Sequence, residues 1–291
     1  MARISKDKYP DKEETKAEAI SETTEIDEKL LAEKPAVKAD VPEELVVQPL
    51  EEAVIEKTKE EISGWKPITE LGRKVKSGEI NEINMIFDRG FNIKESQIVD
   101  ALLDNVEADL LLIGQSKGKF GGGSRKAFKQ TQKKTNEGNK PKFATISVIG
   151  NKNGFVGVGY GKSRETVPAR EKSLRNAKLN LMRVRRGCGS WQCGCKTPHS
   201  IPYKVEGKVG SCRIVLRPAP KGTGLKAEKE CQKILKLAGI KDIWSKGCGQ
   251  TGSKINLVMA CENALKILSS TKVEDKHRRD LGILDGNKVR E

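Results

Sequence analysis

Nowhere in this chain do about 18 apolar residues run together, so no segment reads as a membrane-spanning helix. The opening residues, MARISKDKYPDKEE, lack the apolar stretch of a secretory leader, and a protein that stays in the cytoplasm is expected. Aromatic residues are scarce, at 4%, and the broad hydrophobic fraction is only 36%, which favours small domains with tails over one large core. Histidine occurs twice, as His199 and His277. No carboxylate pair stands apart, so an enzyme is not expected. The run GVGYGKS (157–163) fails both nucleotide-binding motifs at a required glycine: Val156 stands where a phosphate loop needs one, and Lys162 where a dinucleotide fingerprint does. Seven cysteines, an odd number without a leader, read as thiols or metal ligands rather than a disulfide framework.

What the chain has is positive charge. The formal net charge is +15, and it is unevenly spread: residues 1–64 hold 10 Lys+Arg against 18 Asp+Glu, and the remainder 45 against 22. A segment at −8 therefore precedes one at +23, which calls for a polyanionic partner because neutralising phosphates releases counterions. The acidic 1–64 extension, with Tyr9 as its one aromatic, cannot bury enough apolar surface to offset ordering entropy and reads as disordered.

The ordered part reads as a helical lead-in over 65–112, a first α+β module over 113–190, a second over 191–270, and a charged, loose tail over 271–291. In the lead-in, one helix is predicted to stop at Gly78, and another places Ile98, Leu102 and Val106 on one face. In the first module, FATISVIG (143–150) and FVGVGYG (155–161) are strands joined by an Asn153-Gly154 hairpin. A helix follows Thr166, with Pro168 in its first turn and Val167, Leu174, Ala177 and Leu181 as its inward stripe. In the second module, alternation over 201–216 gives strands, a helix runs near 225–238 to a stop at Gly239, a strand covers 240–246 and a helix 254–268.

The candidate RNA contacts follow from flexible or helix-borne cations. The loop 114–126 offers Lys117, Lys119, Arg125 and Lys126, and the stretch 133–142 is equally basic. The first hairpin turn adds Lys152 and Asn153. Lys162, Ser163 and Arg164 lead into the helix, where Lys172, Arg175 and Lys178 lie off the apolar stripe, and Arg183, Arg185 and Arg186 follow it. Gly159 and Gly161 have two readings, backbone approach to phosphate or close packing of strand on helix. Cys188, Cys193, Cys195 and His199 offer three sulfurs and a nitrogen to a structural zinc, with Cys212 as an alternative fourth ligand; reduced thiols in a packed loop are the competing reading. No cofactor is required.

GNKNGFVGVGYGKSRETVPAREKSLRNAKLN, RRGCGSWQCGC, HSIPYKVEGKVGS, LRPAPKGTGL and LKLAGIKDIWSKGCGQT together resemble the family of the fifth protein of the small ribosomal subunit, in its archaeal-type form. The resemblance runs from about Trp65 to Leu268. It implies an α+β fold: a truncated double-stranded-RNA-binding-like domain, a three-stranded sheet plus a helix, followed by a β-α-β-α domain. It also implies a structural protein that binds small-subunit rRNA, supports assembly, the mRNA entrance and translational accuracy, and touches the fourth and eighth subunit proteins. Membrane binding and homo-oligomerisation are not expected. The family's accuracy- and spectinomycin-linked loop maps to Lys133–Lys142, bringing over Thr135, Gly138, Lys140 and Lys142. Gly159, Gly161, Lys162 and Ser163 come over as rRNA-facing, and so do Lys221, Gly222 and Thr223 in PAPKGTG. The alternative function is a free RNA-binding assembly or processing factor. A small-molecule kinase, which shares the second domain's shape, is disfavoured by the missing phosphate loop.

Overall fold

Thr69 begins the first helix, α1 (Glu70–Lys76): its hydroxyl accepts a hydrogen bond from the Gly72 N–H, and the chain leaves the helix at Gly78, whose φ is +82°. A computed structural model describes residues 64–103, 105–114 and 125–287. The acidic extension, apart from its last residue, and the candidates Lys117 and Lys119 lie outside the described residues. Two further short helices, α2 (Ile83–Asp88) and α3 (Gln97–Leu102), complete the lead-in. Trp65, Ile80, Ile86 and Ile98 form its own small core, which Leu102 joins from the same face of α3 as Ile98.

The first sheet holds more strands than the three expected. It comprises β1 (Glu107–Leu110), β2 (Lys129–Thr135), β3 (Gly138–Gly150), β4 (Phe155–Ser163) and β5 (Leu181–Arg183), all antiparallel. The order is β1-β3-β4-β5, and β2 pairs with the first half of β3, on the edge that β1 occupies further along. Period-2 alternation then divides β3 and β4 between two cores. Ile146, Val148, Val156 and Val158 face one way, while Ile149 and Phe155 face the other.

Helix α4 (Thr166–Leu179) covers the second of these faces, and it does so with small residues. Ala169, Ser173 and Ala177 are buried, Leu174 and Leu181 pack into the same cluster as expected, and Val167, also expected on the inward stripe, is 64% exposed. The stripe is rotated because the strand opposite is glycine-rich: a Cβ on Gly159 would lie 2.2 Å from Ala177 N, and one on Gly161 would lie 2.3 Å from Ala169 O. Only backbone against backbone fits there. Thr145 Oγ1 donates to Ala169 O, and the Ser147 and Ser173 hydroxyls pair, so the buried hydroxyls of this seam are satisfied.

A second sheet, β7 (Val205–Val209), β8 (Cys212–Pro218), β10 (Ile243–Cys248) and β9 (Leu225–Lys226) in that order, is antiparallel except for β9–β10. It packs with α5 (Lys229–Leu237) and α6 (Lys254–Ser270). Helix α5 touches both sheets, and Ile146 and Val148 share one buried cluster with Ile214, Leu216, Ile234 and Leu257. The architecture is α+β, with the two sheets joined through one core.

The tail is not loose through residue 285. After α7 (Asp275–Asp280), the chain returns so that β11 (Leu284–Asp285) pairs antiparallel with β6 (Arg185–Arg186). A two-residue pairing about 100 residues apart leaves no local periodicity to read.

Candidate nucleic-acid interface and cysteine cluster

The stretch 133–142 is no loop but the tip of a two-stranded ribbon. Thr135 pairs with Gly138 across the turn, Lys133 with Lys140, and Thr131 with Lys142. Gly138, at φ +112°, allows the reversal, and Thr135 Oγ1 donates to Gly138 O at 2.7 Å. Partners in an antiparallel register share a face, so Lys129, Lys133, Lys140 and Lys142 lie on one side of the ribbon. The next register step pairs Ala144 with Lys162, which adds Lys162 to that side. Lys133 and Lys140 stand directly opposite each other, an arrangement that is destabilising in water. The Lys140 ammonium also meets the Glu137 carboxylate at 2.7 Å. Lys129, outside the 133–142 stretch, is an exposed contributor that reading this stretch as a loop missed, while Lys134, next to Lys133, is exposed on the opposite face of the ribbon.

Where β4 runs into α4, Lys142, Lys162, Ser163, Arg164 and Lys172, with Glu165 as the one carboxylate among them, line a shallow groove of about 680 Å³. Arg175 is exposed on the same helix. At the foot of the 114–126 loop, Gly114 and Lys126 exchange backbone hydrogen bonds of 2.7 and 3.1 Å, leaving the side chains of Arg125 and Lys126 exposed.

Other predicted contacts are used internally. Gly159 and Gly161 are buried against α4, so the packing reading holds for them and not the phosphate reading. Arg185, expected on an RNA-facing loop, is buried: its Nε meets Asp285 at 2.7 Å, and its Nη1 donates to Thr271 O at 2.6 Å. Burial lowers the Arg185 pKa, but the Asp285 carboxylate more than compensates and holds it above its ordinary value. Arg186 is buried too, donating to Gly286 O and to Asn153 Oδ1 at 3.0 Å each, and burial pushes its pKa down. The charged run RVRR reads as surface in sequence because charged residues are seldom buried unless paired, and the partner arrives from the far end of the chain. Lys178 meets Asp100 at 2.7 Å, Arg183 meets Asp88 at 2.7 Å and Lys152 pairs with Glu107. Lys152, Asn153 and Gly154 form the turn of the β3–β4 hairpin, with positive φ at Lys152 and Gly154 rather than at Asn153. Its backbone docks on the end of α5, where Lys152 N donates to Leu237 O at 2.9 Å.

In the PAPKGTG loop, Lys221 is exposed, and Thr223 Oγ1 donates to Pro220 O at 2.8 Å. Asp242 Oδ1 accepts from the Gly222 and Gly224 amides at 3.0 and 2.8 Å. The other oxygen of Asp242 meets His199 Nδ1 at 2.8 Å, both side chains being buried. The ligand atoms of Cys188, Cys193, Cys195 and His199 all lie within 4.8 Å of one another, a grouping that can hold a metal ion. Cys212, the alternative ligand, is buried elsewhere, in the core with Cys231 and Cys261. Burial pushes the Cys188 thiol up to about 11, with the Cys195 and Cys193 thiols adding to the rise. The Thr197 hydroxyl and backbone amide draw Cys195 down to about 6.

Among the described residues, no helix is long and apolar enough to cross a membrane. Fold and surface together define a class: an α+β protein presenting an extended cationic ribbon and groove. Known proteins narrow that class. The family descriptions "Ribosomal protein S5, N-terminal domain" and "Ribosomal protein S5, C-terminal domain" match residues 127–185 and 207–279. Proteins named small ribosomal subunit protein uS5 are similar over most of their length. The one from Nanoarchaeum equitans is 47% identical over 78% of this chain and 97% of its own. That of Methanocaldococcus jannaschii is 45% identical over 77% and 97%, and that of Methanosphaera stadtmanae 45% over 77% and 92%. The chain belongs to the small ribosomal subunit protein uS5 family.

Proposed function

We propose that this protein is a structural constituent of the small ribosomal subunit that grips rRNA with the β2–β3 ribbon and the groove between β4 and α4. It is a building block and not an enzyme. The observation that carries the interface is the facing pair Lys133 and Lys140, backed by Lys129, Lys142 and Lys162 on the same side. Like charges held opposite one another become favourable when phosphates lie between them. The first sheet with α4 on one face is the part we read as a truncated double-stranded-RNA-binding fold. Its ribbon is the segment we assign to translational accuracy and to the mRNA entrance, and contacts with the fourth and eighth subunit proteins belong to the same reading. The particle containing it would be cytoplasmic.

Replacing Lys133, Lys140 and Lys142 together by Gln tests the interface. Affinity for small-subunit rRNA should fall, and the slope of log affinity against log salt should flatten by about one unit per lost phosphate contact. An unaltered slope would exclude the ribbon as an RNA contact. Sedimentation separates the alternative, a free assembly factor: a constituent stays with mature subunits in equal copy to other subunit proteins, and a factor remains in the light fractions.

A further inference from the structure

We propose that Cys188, Cys193, Cys195 and His199 together bind one zinc ion, and that through Asp242 this ion fixes the loop carrying Lys221, Gly222 and Thr223. The proposal does not depend on the rRNA reading above.

All four ligand atoms lie within 4.8 Å of one another, and two of their separations match the edges of a closed tetrahedral site. Zinc–sulfur and zinc–nitrogen bonds of about 2.3 and 2.0 Å give tetrahedral edges of roughly 3.5–3.8 Å between ligand atoms. Cys188 and Cys195 sulfurs are 3.6 Å apart, and Cys193 Sγ is 3.8 Å from His199 Nε2. A set of three sulfurs and one imidazole, all from protein, leaves no open position and matches a structural rather than a catalytic zinc.

The histidine is prepared for that role. Asp242 faces Nδ1 at 2.8 Å, so Nδ1 carries the proton and donates it, and the lone pair of Nε2 points toward the sulfurs. A carboxylate behind a ligand histidine orients the ring and raises its basicity. Thr197 Oγ1 lies 2.9 Å from Cys195 Sγ, within reach to donate to a thiolate. The segment from 188 to 199 also has little else to hold it. It contains no helix and no strand, and its one large apolar side chain, Trp191, is 90% exposed. The groups turned toward one another are the ligand types.

Asp242 makes the site reach further. The same carboxylate that meets His199 accepts from the Gly222 and Gly224 amides. In addition, the His199 carbonyl accepts from Lys241 N and Asp242 N at 2.9 and 3.1 Å. An ion that fixes His199 therefore fixes Asp242, and with it the backbone on either side of Thr223.

Titrating cobalt(II) into the reduced, chelator-stripped full-length protein tests the first half. One equivalent should produce the intense visible bands of tetrahedral cobalt with thiolate-to-metal charge transfer, and zinc should displace it. Cys193→Ser and His199→Asn should each abolish or displace those bands. Wild-type protein lacking the bands overturns the site, as does spectral indifference to both substitutions, or recovery of Cys188 and Cys195 as a disulfide under these conditions. Hydrogen exchange on the wild type tests the second half without any variant: stripping zinc should speed exchange of the Gly222 and Gly224 amides selectively. Asp242→Asn should lower metal affinity about 10- to 100-fold while retaining the cobalt spectrum. Equal exchange with and without zinc overturns the link to the loop, even where the metal binds.

Discussion

Glu95 accepts hydrogen bonds from Trp65 Nε1, Ile68 N and Thr69 N, at 2.8, 3.1 and 2.6 Å. Desolvation raises its pKa, but the bonds from Thr69, Trp65 and Ile68 outweigh it and hold the carboxyl below the ordinary 4.5. A depressed carboxylate contributes stability above its unfolded pKa and loses it as pH falls through the folded value. The lead-in should therefore loosen on acidification below about pH 4.5. The Trp65 indole N–H resonance should report this, and Glu95→Gln should remove the pH dependence. Asp285 has a larger part, because the Arg185 guanidinium beside it is buried. Asp285→Ala leaves that charge unpaired and should destabilise the fold by about 3–5 kcal/mol, measurable by urea unfolding. These two acids were invisible as partners in the sequence. Each lies tens of residues from the group it serves, and spacing arguments reach about a helical turn.

At the level of elements, legibility followed amphipathic contrast. Helix α5 was readable because one face is apolar and the other charged, and Gly239 marked its end with φ +82°. The β2–β3 ribbon read as a loop because both its faces are polar near the tip, so period-2 alternation has no contrast to show. Strands β6 and β11 are two residues each and exist only as each other's partners. Of the α4 stripe, Leu174, Ala177 and Leu181 pack inward as their spacing indicates, while Val167 does not, because the glycines of β4 bring Ala169, Ser173 and Ala177 against the sheet. Gly159→Ala should then cost about 1–3 kcal/mol through overpacking and leave the salt slope of RNA binding unchanged. Removing the Lys133–Lys140 repulsion should act in the opposite direction. Lys133→Gln should leave the free protein equally stable or about 0.2–1 kcal/mol more stable, by thermal melting, while weakening its hold on RNA.

Over the whole molecule, net charge correctly indicated a polyanion but not which cations meet it. Of the helix trio Lys172, Arg175 and Lys178, the last faces Asp100 at 2.7 Å. Replacing Lys172 and Arg175 by Gln should lower the salt slope by about two units, and replacing Lys178 should leave it unchanged. Cys188, Cys193, Cys195 and His199 were legible as candidates and do come within 4.8 Å of one another, while Asp242, whose carboxylate links His199 to the Lys221 loop, had no local signature. The clasp between β6 and β11 bears on how such a chain is made. Synthesis proceeds from the N-terminus, so Arg185 emerges about a hundred residues before the carboxylate that neutralises it. A nascent polypeptide halted short of residue 285 holds an uncompensated guanidinium, and its native packing around Arg185 can close only after that carboxylate has emerged.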